Sequence, residues 1–140
     1  MIENKKCPMC GKTYSDYPAI SRTMGKEEIC PTCGAEQAMQ AMIISQTPCY
    51  QTSAIATWAN NEPNKLSFLH TCFQRHCHFD WGDMDDEDKR ANDVGLVSGD
   101  RLFSAYVIPD TMQERFYDGK IWIITEWDRS ATTILFPSDY

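Results

Sequence analysis

Two short cysteine pairs near the N-terminus carry the clearest chemistry in this sequence. Cys7 and Cys10 lie in the pentapeptide CPMCG, Cys30 and Cys33 lie in CPTCG, and nineteen residues separate Cys10 from Cys30. Proline favours a tight turn in each pair, and glycine lets backbone N–H groups point towards sulfur. Four thiolates on two such turns form the tetrahedral ligand set that Zn²⁺ prefers, which predicts one structural zinc ion bound by all four cysteines. The alternative of two disulfides is disfavoured because nothing in the sequence indicates an oxidising compartment.

A second group of potential ligands lies in the segment HTCFQRHCH, residues 70–78. On a helix, Cys72 and His76 share one face, whereas His70 and His78 point elsewhere, so a second metal site would need a distant ligand. Cys72 and His76 also have the spacing of a nucleophile and its base, but the sequence offers no oxyanion hole or glycine elbow. The pattern therefore favours Cys72 and Cys77 as buried core thiols.

An acidic run follows this segment and forms the next candidate site. Its carboxylates are Asp83, Asp85, Asp86, Glu87 and Asp88. Asp85 is a suitable helix N-cap, and carboxylates in a first helical turn interact favourably with the helix dipole. The same charges are a candidate surface for a basic partner. A divalent cation held by Asp80, Asp83 and Asp86 for hydrolysis is a further alternative, although carboxylates at a helix start more often serve as caps.

Three tryptophans, Trp81, Trp122 and Trp127, are candidates for an exposed recognition surface. Trp122 alternates with Ile121 and Ile123 in a predicted strand, so it projects from the opposite face of the sheet. If the isoleucines face the core, the other face is unusually apolar for contact with water. We therefore predict that Trp122, with Trp127 in the following turn, belongs to a surface that binds another protein or a second copy of the chain.

Charge is distributed unevenly along the 140 residues, which carry a net charge of −7. Residues 1–45 contain five basic and five acidic side chains, so the whole net charge lies in residues 46–140. Such an acidic surface repels nucleic-acid phosphates and favours basic partners. No apolar run approaches the roughly 20 residues of a membrane span, and no signal-peptide core is present, so we expect a cytoplasmic protein without membrane contact.

Helix-forming patterns predict four helical segments, at about 35–44, 51–60, 65–77 and 86–97. The first is rich in strong helix formers, and its Ala38, Met42 and Ile43 are predicted to face the core. The third places Leu66, Leu69 and other apolar residues at helical spacing, which predicts a buried face.

The last forty residues change to the pattern of strands. Three strands are predicted, at 101–108, 120–126 and 131–136, with short connections that favour an antiparallel sheet covered by the preceding helices. The predicted fold class is therefore α+β. It comprises an N-terminal four-cysteine zinc ribbon with a short helix (1–45) and an acidic α+β domain (46–140) with a helical segment and a three-stranded antiparallel sheet.

Both parts resemble known groups of bacterial proteins. The CPxCG pairs, the YPAISR stretch at residues 17–22 and the alanine-rich segment that follows resemble small zinc-ribbon proteins of Firmicutes and their mobile elements, over residues 5–42. Residues 65–140 resemble an uncharacterised plasmid and mobile-element family often mislabelled as type I restriction enzyme subunits. The motifs that carry this resemblance include DWGD, GDRL, KIWIITE and TTILFP. The family implies no catalytic residues.

These features predict a non-enzymatic, zinc-containing accessory protein of a mobile element that binds another protein. The sharper expectation is an inhibitor of a host defence nuclease, of the anti-CRISPR or anti-restriction kind, whose acidic face occupies a basic nucleic-acid groove. The alternative is a nucleic-acid-binding regulator that uses Lys12, Tyr14, Tyr17 and Arg22 of the ribbon. A small metal-dependent hydrolase is the third expectation.

Overall fold

The computed structural model describes residues 4–140 and confirms a mixed α+β fold with a cysteine cluster near the N-terminus. Its helices are α1 (Pro31–Gln46), α2 (Ser53–Ala59), α3 (Pro63–Cys77) and α4 (Asp86–Ser98). Its strands are β1 (Lys5–Lys6), β2 (Thr13–Tyr14), β3 (Ala19–Ile20), β4 (Glu28–Ile29), β5 (Cys49–Gln51), β6 (Leu102–Val107), β7 (Lys120–Thr125) and β8 (Thr132–Leu135). Residues 1–3 of the predicted ribbon domain lie outside the described residues.

The main sheet has four strands in the order β5-β8-β7-β6, so the prediction of a three-stranded antiparallel sheet is wrong by one strand. The predicted antiparallel pairs are present, with β7 between β6 and β8. The additional strand β5 runs parallel to β8, with Cys49 opposite Thr132. Pro48 marks only a helix stop in the sequence, but its carbonyl accepts a 2.8 Å hydrogen bond from the Thr132 N–H and begins the extra pairing.

Helices α2 and α3 contribute to a core on one face of this sheet. Ile121 and Ile123 of β7 lie in one buried cluster with Trp58 of α2 and Leu69 of α3. Burying a large apolar side chain stabilises the folded state by roughly 1.5–3 kcal/mol. This cluster therefore fixes the helices on the face that carries the two isoleucines and leaves Trp122 on the opposite face.

Helix α1 buries a different face from the one predicted. Met42 is 63 % exposed, and the buried side chains of the middle and last turns are those of Gln37, Gln40 and Ile44. Gln37 is buried because its amide nitrogen donates to Ser21 Oγ at 2.9 Å, which ties the loop after β3 to the helix. The prediction is wrong for Met42, whereas Ala38 and Ile43 are partly buried, because a helix face that contains two glutamines gives no continuous apolar stripe in the sequence.

Helix α3 matches its predicted range to within two residues. Leu69 and Cys72 are buried as predicted, whereas Leu66 is 42 % exposed. The neighbouring Lys65 takes the buried position instead, since its ammonium group donates to the Trp58 carbonyl at 2.9 Å. Specific partners compensate the charge of the buried lysine, and an apolar sequence pattern does not reveal such partners.

Helix α4 begins and ends where the sequence predicts. Asp85 is the N-cap and accepts a hydrogen bond from the Asp88 N–H at 2.8 Å, and Gly99 ends the helix in a left-handed conformation. Leu96 faces a buried cluster that includes residues of α1 and α3, and Val97 packs against the cysteine cluster. Helix α4 therefore connects the ribbon with the rest of the fold.

His76 joins helix α3 to the sheet through both nitrogens of its fully buried ring. Nδ1 lies 2.6 Å from Ser104 Oγ on β6, and Nε2 lies 2.8 Å from Thr125 Oγ1 on β7. Thr125 Oγ1 lies in turn 2.8 Å from Thr132 Oγ1 on β8. Burial, reinforced by the charge of Arg129, lowers the pKa of His76 to about 3, so the ring is neutral in the folded protein.

The neutral ring predicts a loss of stability in mild acid. Between pH 6.5 and about 3 the unfolded chain binds a proton at position 76 that the folded chain does not, so the free energy of unfolding falls as the pH falls. The slope of this contribution is at most about 1.4 kcal/mol per pH unit. Urea unfolding between pH 7.5 and 4.5 measures it for the natural protein, for His76→Gln and for the control His70→Gln on the exposed side of α3.

We expect His76→Gln to be less stable at pH 7.5, because it disturbs the hydrogen bonds, but to show a shallower decline with falling pH. His70→Gln should keep the natural slope. Equal slopes for His76→Gln and the natural protein would contradict the assignment.

Candidate metal centre

The first cysteine pair lies in the turn between β1 and β2. These strands pair antiparallel, with Lys5 opposite Tyr14, and the chain between them contains Cys7 and Cys10. The Gly11 N–H donates to the Cys7 carbonyl at 2.8 Å. Gly11 has a φ angle of +75°, a conformation that glycine adopts without the penalty of a Cβ atom. The predicted glycine-closed turn is present in this pair.

The second cysteine pair lies at the start of helix α1. This helix begins at Pro31, four residues before its predicted start at residue 35. Cys30 is the N-cap, and its sulfur accepts a hydrogen bond from the Cys33 N–H at 3.4 Å, in the manner of a serine or aspartate cap. Pro31 occupies the first helical position, where its missing N–H has no cost. The positive end of the helix dipole therefore lies near these sulfur atoms, whereas burial raises the pKa of the Cys30 thiol.

Gly34 has a different role from Gly11, because it lies inside α1. A methyl group at this position would overlap the Cβ atom of Ala19 on β3. Ala19 pairs with Ile29 across the β3–β4 hairpin. The absence of a side chain at position 34 therefore lets the helix pack directly against this hairpin and brings Cys33 into the cluster.

The four sulfur atoms form one compact group. The Sγ atoms of Cys7, Cys10, Cys30 and Cys33 all lie within 4.8 Å of one another, and those of Cys10 and Cys30 are 3.9 Å apart. A tetrahedral site with Zn–S bonds of about 2.3 Å has sulfur atoms about 3.8 Å apart, whereas a disulfide needs about 2.05 Å. The geometry therefore fits a tetrahedral metal ion and not two disulfides.

The thiols of the cluster differ in their tendency to ionise. Burial opposes ionisation of Cys7, but hydrogen bonds from the N–H groups of Cys30, Cys10 and Met9 outweigh it and lower the Cys7 pKa to about 6. Burial and the three neighbouring sulfurs raise the pKa of Cys33. Four thiolates at this spacing repel one another, so a divalent cation is the group that would neutralise them together. These cysteines occupy every position of a tetrahedral site, so the metal would stabilise structure and activate no substrate.

Contacts from α4 support the ribbon from the side. Arg90 forms an ion pair with Glu27, which lies just before β4, and donates to the Pro8 carbonyl at 3.0 Å. Val94 and Val97 of the same helix pack against the buried sulfurs. Sequence analysis did not identify Arg90 as part of the site, because its two partners lie 63 and 82 residues away in the chain.

The acidic run divides into carboxylates that hold structure and carboxylates that face solvent. Asp83 accepts a hydrogen bond from the Val107 N–H at 2.9 Å, beside the edge strand β6, and Asp85 caps α4. Asp86, Glu87 and Asp88 are exposed in the first turn of α4. The cap prediction is confirmed for Asp85, and the outward-facing charges are available to a partner.

The three candidate tryptophans lie in different surroundings. Trp81 is buried and donates to Asp93 Oδ1 at 2.8 Å, so its assignment to an exposed surface is wrong. Trp122 is partly buried and borders a cavity of about 360 Å³. We call this cavity the acidic–aromatic groove. Its lining includes Met84, Asp88, Arg101, Phe103, Trp122 and Tyr140. Trp127 is 67 % exposed in the turn after β7 and does not line the groove. The fold thus brings Asp88 and Trp122 together, but not Trp127.

Aromatic contacts organise this groove. The rings of Phe103 and Trp122 meet edge to face with centroids 4.9 Å apart, and Trp122 meets Tyr140 at 6.0 Å. Arg101 donates to the Tyr140 hydroxyl at 2.7 Å. Sequence analysis did not identify Phe103 or Tyr140, because only the strand register places Phe103 opposite Ile124, beside Trp122.

The histidine–cysteine segment forms no second metal centre. Within residues 4–140, the N-terminal cysteines are the only group of three or more His, Cys, Asp or Glu side chains arranged to hold a metal ion. Cys72 and Cys77 are buried in apolar clusters, as predicted, and burial raises the pKa of the Cys72 thiol to about 12. His76 bonds to the sheet hydroxyls and not to Cys72.

Comparisons with known proteins leave the site to be interpreted from its own geometry. No protein-family model matches the chain, and no match was found among curated proteins or among solved structures. None of the helices between residues 4 and 140 is both long and apolar enough to cross a bilayer.

The cluster predicts a defined metal content. We expect one equivalent of bound metal per reduced chain, a large loss of metal in Cys33→Ser, and no loss in Cys49→Ser, which removes an exposed thiol outside the cluster. Elemental analysis of the purified proteins gives the stoichiometry, and thermal unfolding with and without a chelator gives the linked stability. Equal metal content in the two variants would contradict the assignment.

The tight contact at Gly34 predicts a second effect. Gly34→Val should lower the free energy of unfolding by about 1–3 kcal/mol, because the new side chain overlaps Ala19 and forces the helix away from the hairpin. Gly25→Val is the matched control, since no atom lies within 4 Å of its added Cβ. Denaturant unfolding of both metal-loaded variants measures the difference. A loss as large in the control as in Gly34→Val would show that the contact is unimportant.

Proposed function

We propose that this chain is a non-enzymatic, zinc-containing accessory protein of a mobile element, acting in the cytoplasm, that binds another protein through the acidic–aromatic groove. The observation that carries the proposal is the juxtaposition in that groove of Asp88, from an exposed acidic helix turn, and Trp122, from an aromatic cluster on the open face of the sheet. The acidic run and the tryptophan are candidate sites from separate parts of the sequence.

We propose that the cation at the cysteine cluster is one Zn²⁺ ion with a structural role. Zinc favours four-coordinate sulfur sites and has no redox chemistry of its own. The mutual spacing of the sulfur atoms supports this ligand set. The ion would fix the ribbon against α1 and α4 and leave the surface on the sheet to contact the partner.

The chemistry of the groove favours a protein partner with basic and apolar groups together. Phe103, Trp122 and Tyr140 offer aromatic area of the kind that forms the energetic centre of protein interfaces. Asp88 offers a carboxylate in the lining, and Asp86 is exposed in the same first turn of α4. An arginine or lysine beside an apolar side chain would satisfy both features, through an ion pair and through contact with the ring faces.

The sharper form of the proposal is inhibition of a host defence nuclease, as in anti-CRISPR or anti-restriction proteins. Such nucleases bind nucleic acid in a basic groove, and a chain with a net charge of −7 has the charge to compete for it. The resemblance of residues 65–140 to a mobile-element family also favours this role. The proposal needs no catalytic residue, since occupation of the groove is sufficient.

Binding to purified defence nucleases, measured by calorimetry at several salt concentrations, tests this proposal. We expect Asp86→Asn/Asp88→Asn to weaken binding and to reduce its salt dependence, because two exposed carboxylates in the first turn of α4 are removed. Trp122→Ala should weaken binding at least tenfold if the aromatic cluster is the centre of the interface. Thermal unfolding and metal content of each variant show whether it remains folded.

The matched control is Asp16→Asn/Glu28→Gln, which removes two exposed carboxylates of the ribbon, outside the groove. It changes the net charge by the same amount and should leave binding nearly unchanged. Loss of binding to the same extent in both charge variants would show that only the net charge matters. Failure to form a salt-sensitive complex with any nuclease tested would remove the inhibitor proposal.

A further inference from the structure

A basic groove lies on the helix side of the molecule, between the loop after β3 and the exposed side of α3. Two cavities of about 570 and 420 Å³, which share His78 as a lining residue, make up this groove. The basic and polar side chains in its lining include those of Arg22, Lys26, His70, Gln74, Arg75 and His78. This groove differs from the acidic–aromatic groove in position and carries more positive charge, because Arg22, Lys26 and Arg75 outnumber Asp80 in its lining, whereas one carboxylate and one guanidinium line the other.

The positive charge of the groove is not neutralised by the described part of the chain. Within residues 4–140, no carboxylate lies within ion-pair distance of Arg22 or Lys26, and both side chains are exposed. Asp80, the carboxylate at the rim, is paired with Arg75 at 2.7 Å. In the part of the chain that the structure describes, the groove therefore presents two cations without a carboxylate partner, in a protein whose net charge is −7.

The backbone that carries the two cations is held in place. The Arg22 N–H donates to Gln37 Oε1 at 2.7 Å, which ties the loop to α1. The Lys26 N–H donates to the Thr23 carbonyl at 3.0 Å, and Lys26 has a φ angle of +48° that completes the turn. A fixed loop loses less conformational freedom on binding than a mobile one, so the cations are preorganised for a ligand.

The opposite wall presents polar groups at each turn of α3. His70, Gln74 and His78 are four residues apart on one exposed side, so the row extends about 12 Å along the helix. His78 Nδ1 lies 2.6 Å from the Gln74 carbonyl oxygen, which orients the ring. The last carbonyls of α3 accept N–H groups of residues 78–80, which reduces their repulsion of an anion.

We propose that the basic groove binds the sugar–phosphate backbone of a nucleic acid without reading its sequence. Phosphates would contact Arg22 and Lys26, and the row on α3 would supply further hydrogen bonds. Ile20 and Met24, which are largely exposed beside the cations, provide apolar surface for sugars or bases. A length of 12 Å accommodates about three or four phosphates of one strand.

The shape of the site favours this ligand over a phosphorylated peptide. A phosphopeptide site usually concentrates arginines around one phosphate, whereas here Arg75 is paired with Asp80, and one further arginine and one lysine line the open groove. The nucleic-acid-binding residues proposed here also differ from the set that the sequence suggests. Lys12 and Tyr14 of that set line a cavity beside Cys10 and not this groove. Of that set, only Arg22 lines the basic groove.

This inference does not depend on the proposed protein partner. Helix α3 packs on the sheet face that carries Ile121 and Ile123, whereas Trp122 projects from the other face. The two grooves therefore lie on opposite sides of the sheet and leave room for simultaneous occupation. Failure of either binding experiment leaves the other result unaffected.

Fluorescence anisotropy with the full-length, zinc-loaded chain tests the inference. The probes are a labelled oligothymidine, a labelled oligouridine and a labelled 20-base-pair duplex. The salt concentration is varied from 50 to 200 mM. We expect dissociation constants of about 10–100 µM at the lower salt concentration. Two neutralised phosphates give a slope of log K against log salt of about −1.4 for single strands, so affinity falls about sevenfold over this range.

Arg22→Gln/Lys26→Gln should reduce the slope to near zero and weaken binding at low salt at least fivefold. Lys6→Gln/Lys12→Gln is the matched control, with the same charge change outside the groove, and should keep both slope and affinity. The single-stranded and duplex probes distinguish the two forms of nucleic acid, and metal content confirms that each variant is folded.

Three outcomes would overturn the inference. The first is the absence of salt-dependent binding to every oligonucleotide. The second is an equal loss in the groove variant and the control, which would indicate general charge effects. The third is tighter, groove-dependent binding of a phosphotyrosine peptide or of anionic phospholipid vesicles, which would assign the groove to another class of ligand.

Discussion

Convergence of four sulfur atoms on the N-terminus of α1 is the constraint on which the rest of this fold depends. The strands of the ribbon are only two residues long, too short to be stable as isolated hairpins. Among the described residues, the buried cluster around the sulfurs contains only Met9 and Ile29 besides cysteines. Metal binding, worth roughly 10–16 kcal/mol in small zinc modules, would supply the stability that this apolar surface lacks.

The metal site also fixes the helix that organises the neighbouring parts. Because Cys30 caps α1, the direction of the helix follows from the position of the cluster. Ile44, near the other end of α1, then enters a core with residues of α3 and α4, and Arg90 of α4 returns to contact the ribbon. The chain thus forms a closed set of contacts in which the cluster and the core support each other.

The features that sequence analysis predicted are those with local causes. Cysteine spacing, the Asp85 cap and the alternation around Trp122 depend on neighbouring residues, and these elements lie where the pattern indicates. The missed features depend on distant partners. Strand β5 exists because Pro48 meets Thr132, Gln37 is buried because Ser21 accepts its hydrogen bond, and Tyr140 joins the groove only through the position of the C-terminal turn. No pattern within one segment contains that information.

The central claim is that one metal ion, bound by sulfur alone, holds the ribbon against the helical core. Zinc K-edge X-ray absorption on the intact, reduced protein tests it most directly. The account predicts a single shell of four sulfur atoms at about 2.3 Å, from Cys7, Cys10, Cys30 and Cys33. A shell dominated by nitrogen or oxygen, or a folded, reduced protein that contains no metal, would contradict it.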